Sequence, residues 1–237
     1  MTMRVASRTH QGKVRASNQD ALLVQPGKHG LYGVADGMGG HNAGDVASRM
    51  AVLLLGRVLE GAAPSDDLLR GGIEEVNLMI YEEQCKDENL SGMGTTMTVL
   101  WEDDERLLLG HVGDSRAYRI RNMQISQISQ DHSMVGELLR DGLITPEEAL
   151  RHPYRNVITR ALGASKNITV DTAELDKKRG DKYLICSDGL YEYVSPETML
   201  SILSRTPLEE AADQLMDMAL EGGGKDNISL VIAEVTA

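Results

Sequence analysis

The sequence predicts an α+β fold in layers, with antiparallel sheets and helices packed outside them. Three observations carry this. Strand-like apolar runs mostly follow one another through short turns, as antiparallel pairing allows. Longer stretches with helical apolar spacing fall between blocks of strands. No internal repeat, low-complexity tract or Pro/Ser-rich linker divides the 237 residues, so one domain over 1–237 is expected.

The elements follow in order. Arg4–Ser7, Ala21–Val24 and Leu31–Ala35 read as short strands. Ala43–Leu59 reads as a helix with Val46, Met50, Leu53, Leu54 and Val58 on its stripe, and Ser65–Cys85 as a second with Leu68, Leu69, Ile73, Val76 and Ile80. Strands return at Thr95–Trp101, Arg106–Val112, Ser115–Arg121 and Gln124–Ser129. The polar run Glu102–Glu105 joins the first two of these, and Gly113-Asp114 makes a tight turn. Met134–Arg140 is helical, and Thr145-Pro146-Glu147-Glu148 starts another short helix. Strands at Ile168–Ala173 and Lys182–Ser187 come next. Ser195-Pro196 and Thr206-Pro207-Leu208-Glu209 each place a hydroxyl N-cap before a Pro at the first helical position, the latter as a capping box. Asn227–Val235 is the last strand.

Five aspartates sit at the mouths of these strands: Asp20, Asp36, Asp114, Asp188 and Asp226. Three are followed at once by Gly or Asn. Any one alone reads as an ordinary turn residue, because Asp tolerates tight turns and Gly supplies positive φ. In antiparallel sheets, however, the end of one strand lies beside the start of the next, so all five can share one rim. Carboxylates gathered there repel one another unless a positive group sits between them, and a hard divalent cation is the natural one. The glycines after Asp36 also let a backbone carbonyl approach closely enough to act as a ligand. Arg15, five residues before Asp20, could hold two phosphate oxygens with its planar fork, or be a plain surface arginine.

Composition limits the alternatives. A formal net charge of −12 argues against nucleic acid and against an anionic membrane surface. A phosphorylated substrate would be repelled too, unless metal ions or arginine reverse the field locally. Cys85 and Cys186 imply no disulfide framework, no apolar run approaches a membrane span, and the first residues lack a signal-peptide core, so a cytoplasmic protein is expected. Neither cysteine has an Arg six residues later; G-x-S-x-G and H-E-x-x-H are absent, and the six histidines show no zinc spacing. Gly222-Gly223-Gly224-Lys225-Asp226 lacks the Ser or Thr of a Walker loop, and the loop from Asp36 does not fit G-x-G-x-x-G.

Taken together, the motifs resemble the metal-dependent, type 2C serine/threonine protein phosphatases in their compact bacterial form. The resemblance runs in family order through Arg15–Asp20 (RASNQD), Val34–Gly44 (VADGMGGHNAG), Gly92–Thr96 (GMGTT), Gly110–Arg116 (GHVGDSR), Asn156–Gly163 (NVITRALG), Cys186–Leu190 (CSDGL) and Gly224–Asn227 (GKDN), covering nearly the whole chain. It implies an αββα sandwich and two Mn²⁺ or Mg²⁺ ions, with a water between them attacking phosphorus directly. By position, Asp36 would bridge the ions, the Gly37 carbonyl would bind one, and Asp188 and Asp226 would complete the other. Asp20 would act through metal-bound water, Asp114 with Asp188 would form a third ion site, and Arg15 would hold the substrate phosphate.

The chain also departs from the family pattern. Gln19 stands where many relatives carry an acid, and Met38 where eukaryotic members carry a His proposed as general acid. His41 could supply that proton instead, as could a metal-bound water. The segment Asp141–Arg160 matches the variable flap beside the cleft; its Arg151, His152, Arg155 and Arg160 make a local positive excess suited to choosing phosphopeptides, or a solvated loop. The implied role is a monomeric phosphatase for phosphoserine and phosphothreonine, opposing a bacterial serine/threonine kinase. A catalytically silent phosphatase-like binding module and a phosphatase dedicated to one phosphorylated anti-sigma antagonist are the competing readings. The first would be signalled by loss of metal aspartates, and Asp36, Asp188 and Asp226 are all present.

Overall fold

Two antiparallel sheets face each other across an apolar layer, and each carries helices on its outer side. The computed structural model describes residues 2–39 and 43–236. One sheet orders β2 (Asp20–Gln25), β3 (Leu31–Met38), β5 (Met97–Glu102), β6 (Arg106–Val112) and β9 (Asp171–Asp176), with the two-residue β4 (Gly94–Thr95) paired to the end of β3. The other orders β1 (Met3–His10), β11 (Ile228–Val235), β10 (Lys182–Cys186), β7 (Arg116–Arg121) and β8 (Gln124–Gln127). Helices α1 (Ala43–Val58) and α2 (Asp66–Lys86) cover the first sheet; α5 (Asp188–Tyr191), α6 (Pro196–Arg205) and α7 (Leu208–Gly222) cover the second. The short α3 (Met134–Arg140) and α4 (Pro146–Leu150) lie in the excursion between β8 and β9; α4 falls within the predicted flap, Asp141–Arg160, and α3 just before it. This is the expected αββα sandwich.

Three buried layers hold it together. Tyr32, Val34, Leu100 and Leu107 meet Tyr183, Ile185 and Val231 between the sheets. Leu69, Ile73, Val76 and Ile80 of α2 are fully buried in the layer under the first helix pair, and each such side chain contributes about 1.5–3 kcal/mol. Leu190, Met199, Leu203 and Leu215 fill the layer under the second helix group.

Four local readings need correction. The buried face of α1 is made of Ala43, Ala47, Ala51 and Leu55 with Gly44 and Ser48, because small side chains let the helix lie close on the sheet. Val46, Met50, Leu54 and Val58 flank it half-buried, while Leu53 points outward, 58% exposed. Leu68 is likewise exposed; its backbone N–H instead closes the Ser65 cap. Strand β9 starts three residues later than expected: Ile168 and Val170 pack against the α2 layer, and pairing with β6 begins at Asp171. The Thr206 capping box does not form. The Thr206 N–H closes α6 onto the Ile202 carbonyl, which moves the start of α7 past Pro207. Ser195 does cap its helix through the Thr198 N–H, and Thr145 forms a capping box with Glu148.

Candidate metal centre

The five aspartates come from both sheets and meet at one rim. Asp20 opens β2 and lies opposite Asp36 near the end of β3. Asp114 sits in the turn after β6, Asp188 at the first residue of α5 after β10, and Asp226 just before β11. The backbone around Asp36 is held on several sides. Its N–H donates to Thr96 Oγ1 at 2.9 Å, and its carbonyl accepts from the Thr96 N–H and the Thr95 hydroxyl, each at 2.9 Å. Thr96 Oγ1 in turn lies 2.7 Å from Ser115 Oγ, which ties the Asp36 strand to the Asp114 turn. Two glycines make the convergence sterically possible. A Cβ at Gly37 would lie 2.1 Å from the Gly44 carbonyl oxygen and 2.5 Å from that of Gln19; one at Gly189 would lie 2.0 Å from the Asn227 carbonyl oxygen.

Asn227 and Ser187 position the rest. The Asn227 amide donates to the carbonyls of Gln11 and Ser17, and its oxygen accepts the Gln19 N–H, all within 2.9 Å. This staples the 11–19 loop, with Arg15 on it, to the start of β11. The Ser187 hydroxyl donates to Asp20 Oδ2 at 2.8 Å. Arg15 Nη2 lies 2.5 Å from Asp226 Oδ2 across the rim.

The electrostatics are those of a cluster only partly compensated, by Arg15 at Asp226. Burial pushes the Asp36 carboxyl well above the usual carboxylate range, and Asp20, Asp188, Asp114 and Asp226 add repulsion in that order. Asp188 is raised for the same reason, with Asp114, Asp226, Glu192 and Asp20 around it. Burial lifts Asp20 to about 6 and Asp114 to about 6. Asp20 Oδ1 is buried with no hydrogen-bond partner.

These residues fit a hard divalent cation. The donor set is all oxygen, as Mg²⁺ and Mn²⁺ prefer. An orphaned carboxylate oxygen and a neighbouring group of raised carboxyls are what a missing positive charge leaves behind. Among the described residues no three His, Cys, Asp or Glu side chains close into a cage of their own. Such ions are commonly held by one or two carboxylates with several retained waters, so an open set suits them.

The other predicted residues separate. Arg155 lines the cleft beside the rim. Arg151 and His152 are on the flap outside that lining. Arg160 is not a free flap cation: its Nη1 pairs with Asp171 Oδ1 at 3.0 Å. The other oxygen of Asp171, Oδ2, lies 3.1 Å from Nε2 of buried His132, whose Nδ1 accepts the Gly113 N–H at 3.1 Å, so the proton sits on Nε2 facing Asp171. The positive excess read from the sequence is therefore partly spent on holding the flap base to the Asp114 turn. His41 lies outside the described residues.

Sequence reasoning missed Ser187, Asn227, Thr96, His132 and the Arg116–Asp131 pair. Ser187, Asn227, Thr96 and Arg116 lay inside quoted motifs, and that was the available signal; His132 and Asp131 lay outside them.

Comparison with known proteins agrees with this geometry. The family model described as protein phosphatase 2C matches residues 7–223. Serine/threonine protein phosphatase PstP of Mycobacterium tuberculosis is 40% identical over 238 residues, covering 99% of this chain and 45% of PstP, so the chain spans about half the length of that relative. Serine/threonine phosphatase stp of Listeria monocytogenes is 40% identical over 243 residues, covering 98% of this chain and 96% of its own. A crystal structure of the PstP catalytic domain in complex with two manganese ions superposes with a TM-score of 0.90 at 37% identity, covering 99% of both chains. The chain belongs to the protein phosphatase 2C family.

Proposed function

We propose that this member of the protein phosphatase 2C family is a metal-dependent protein serine/threonine phosphatase that hydrolyses phosphoserine and phosphothreonine with two Mn²⁺ or Mg²⁺ ions. The observation that carries the reading is the rim of five aspartates from two sheets: burial raises Asp20, Asp36, Asp114 and Asp188, Asp20 Oδ1 has no hydrogen-bond partner, and Arg15 is paired with Asp226. The bound manganese pair of the PstP catalytic domain supports the choice of ion. Asp36 with the Gly37 carbonyl, Asp188 and Asp226 would hold the two ions; Asp20 would act through bound water, and Asp114 with Asp188 would serve a third ion. When bound, the ions supply an acidified water for direct in-line attack on phosphorus and stabilise the developing charge.

The protein's own groups do the rest. Arg15 would exchange Asp226 for the substrate phosphate, since its guanidinium already sits at the rim. Thr96 fixes the Asp36 backbone and Ser187 the Asp20 carboxylate, so that little reorganisation remains when charge develops. His41 would return a proton to the leaving serine or threonine oxygen. The protein would act in the cytoplasm as a monomer, on phosphoproteins that include a cognate serine/threonine kinase. Among the described residues no helix is long and apolar enough to cross a membrane.

The test is hydrolysis of phosphothreonine peptides with and without Mn²⁺. Activity should require Mn²⁺ and disappear with chelator or with Asp188→Asn. Full activity in either condition would overturn the metal reading.

A further inference from the structure

Next to the aspartate rim, a cleft of about 620 Å³ opens between the flap and α5. That size lies within the range of ligand-binding clefts. Asp114 and Asp188 form one end of it, so it is continuous with the candidate metal centre. Val135 and Leu139 of α3 and Pro146 and Ala149 of α4 line it together with Tyr193 and with Tyr191, which lies near Asp114 and Asp188. One wall is firmly built. Arg116 is clamped by Asp131, with Nη2 to Oδ2 at 2.7 Å and Nε to Oδ2 at 3.0 Å, and its guanidinium lies 3.8 Å over the Tyr191 ring. Arg116 is thus neutralised and part of the wall.

Two lining cations are different. Arg155 from the flap and Lys225 from the loop before Asp226 are exposed, and neither has an ion-pair partner among the described residues. Glu192, the remaining acid of the lining, acts on Asp114 and Asp188 and so belongs to the metal end. Helix α3 and the flap after it together hold five of the ten large apolar side chains left exposed among the described residues, Met134, Leu139, Leu143, Tyr154 and Val157. In a chain of net charge −12, an apolar recess flanked by two unpaired cations is an unusual local field.

We propose that this cleft is a substrate subsite for the segment flanking the phosphorylated residue, taking one bulky apolar side chain against Leu139 and Tyr191 and an acidic neighbour against Arg155 and Lys225. The inference rests on the phosphatase reading above and names the substrate class within it: phosphothreonine or phosphoserine sites set among apolar and acidic residues. The apolar side chain would be withdrawn from water in the recess, while the acidic one would meet Arg155 and Lys225, the two lining cations without an ion-pair partner among the described residues.

The experiment is a phosphothreonine peptide scan on the full chain with Mn²⁺, setting each flanking position in turn to Ala, Leu, Glu or Lys. At one fixed offset, Leu should exceed Ala by about tenfold in kcat/KM, chiefly through KM, the order expected for burying one apolar side chain. A neighbouring position should prefer Glu over Lys. Leu139→Gln should flatten the first preference, and Arg155→Glu combined with Lys225→Glu should reverse the second; both sites are exposed, so the fold is retained, and a reversal cannot arise from loss of structure. A flat profile at every flanking position, with Mn²⁺-dependent hydrolysis intact, would overturn the subsite alone. Failure of Mn²⁺ to support hydrolysis of any phosphothreonine peptide or of p-nitrophenyl phosphate would overturn the phosphatase reading and the subsite with it.

Discussion

The same strands end in two opposite electrostatic solutions. At the far end from the aspartate rim, every buried charge has a partner. Glu102, at the end of β5, accepts from Lys177 Nζ at 3.0 Å and from the Tyr32 hydroxyl at 3.2 Å, and Lys177 also donates to the Asp103 carbonyl at 2.6 Å. Asp181, just before β10, is held by Arg121 at 2.6 and 2.8 Å and by the Lys178 N–H at 2.8 Å. At the near end, β3 delivers Asp36 and the chain after β10 delivers Asp188 into a group of like charges. A fold able to pair its buried charges at one end leaves them unpaired at the other. That contrast supports the proposed role of the rim as a place for a cation from outside.

The contrast can be broken by single substitutions. The largest effect is expected at Asp36→Asn. With metal, kcat should fall by about 10²- to 10³-fold, the scale of losing one preorganised electrostatic group. Without metal, the same variant should melt higher than the parent, because a repelling charge is gone. Calorimetry in chelator checks the second half; a lower melting temperature would mean that the rim is internally compensated. The far end should answer with the opposite sign. Lys177→Met leaves Glu102 buried without its cation and should cost about 3–5 kcal/mol, measured by denaturant unfolding, with Mn²⁺ affinity unchanged.

A smaller effect is expected at Arg15→Ala. It should raise KM for phosphopeptides about tenfold with little change in kcat. It should also tighten Mn²⁺ binding in titration calorimetry, because Asp226 loses its competing partner at 2.5 Å. The smallest effect concerns pH in the metal-free protein. Asp114 rises to about 6 from an ordinary value of 3.8, so between these values the folded chain keeps a proton that the unfolded chain has lost. Its contribution therefore favours folding at low pH and is lost as pH rises through about 6. Asp114→Asn should be more stable than the parent at neutral pH, and the difference should vanish toward pH 4. A difference that grew on acidification would reverse the assignment.

Much of the centre was legible because it is local. Asp36-Gly37 and Asp188-Gly189 follow apolar strands, and the glycines stand where a Cβ would strike another backbone. Helix α2 was readable because its buried residues are large and regularly spaced. Helix α1 misled for the opposite reason: its sheet-facing residues are small, and the large ones lie at the flanks or outside. Thr206 carried a correct capping pattern, but the end of α6 claimed its N–H first. Arg160 looked like a flap cation until Asp171 and His132 were seen beside it.

By itself the sequence determined the layered α+β class and a family resemblance that the comparisons bear out, and it singled out the aspartates proposed to hold an oxygen-loving ion. Periodicity and turn chemistry act over a few residues, so they survive in one dimension. Only the tertiary structure decided which carboxylates are paired. Asp181 and Asp188 sit seven residues apart on one strand's two ends, yet one meets Arg121 and the other meets more aspartates. Charge interaction depends on distance through space and on burial, and partners such as Arg15 and Asp226 stand 211 positions apart in the chain.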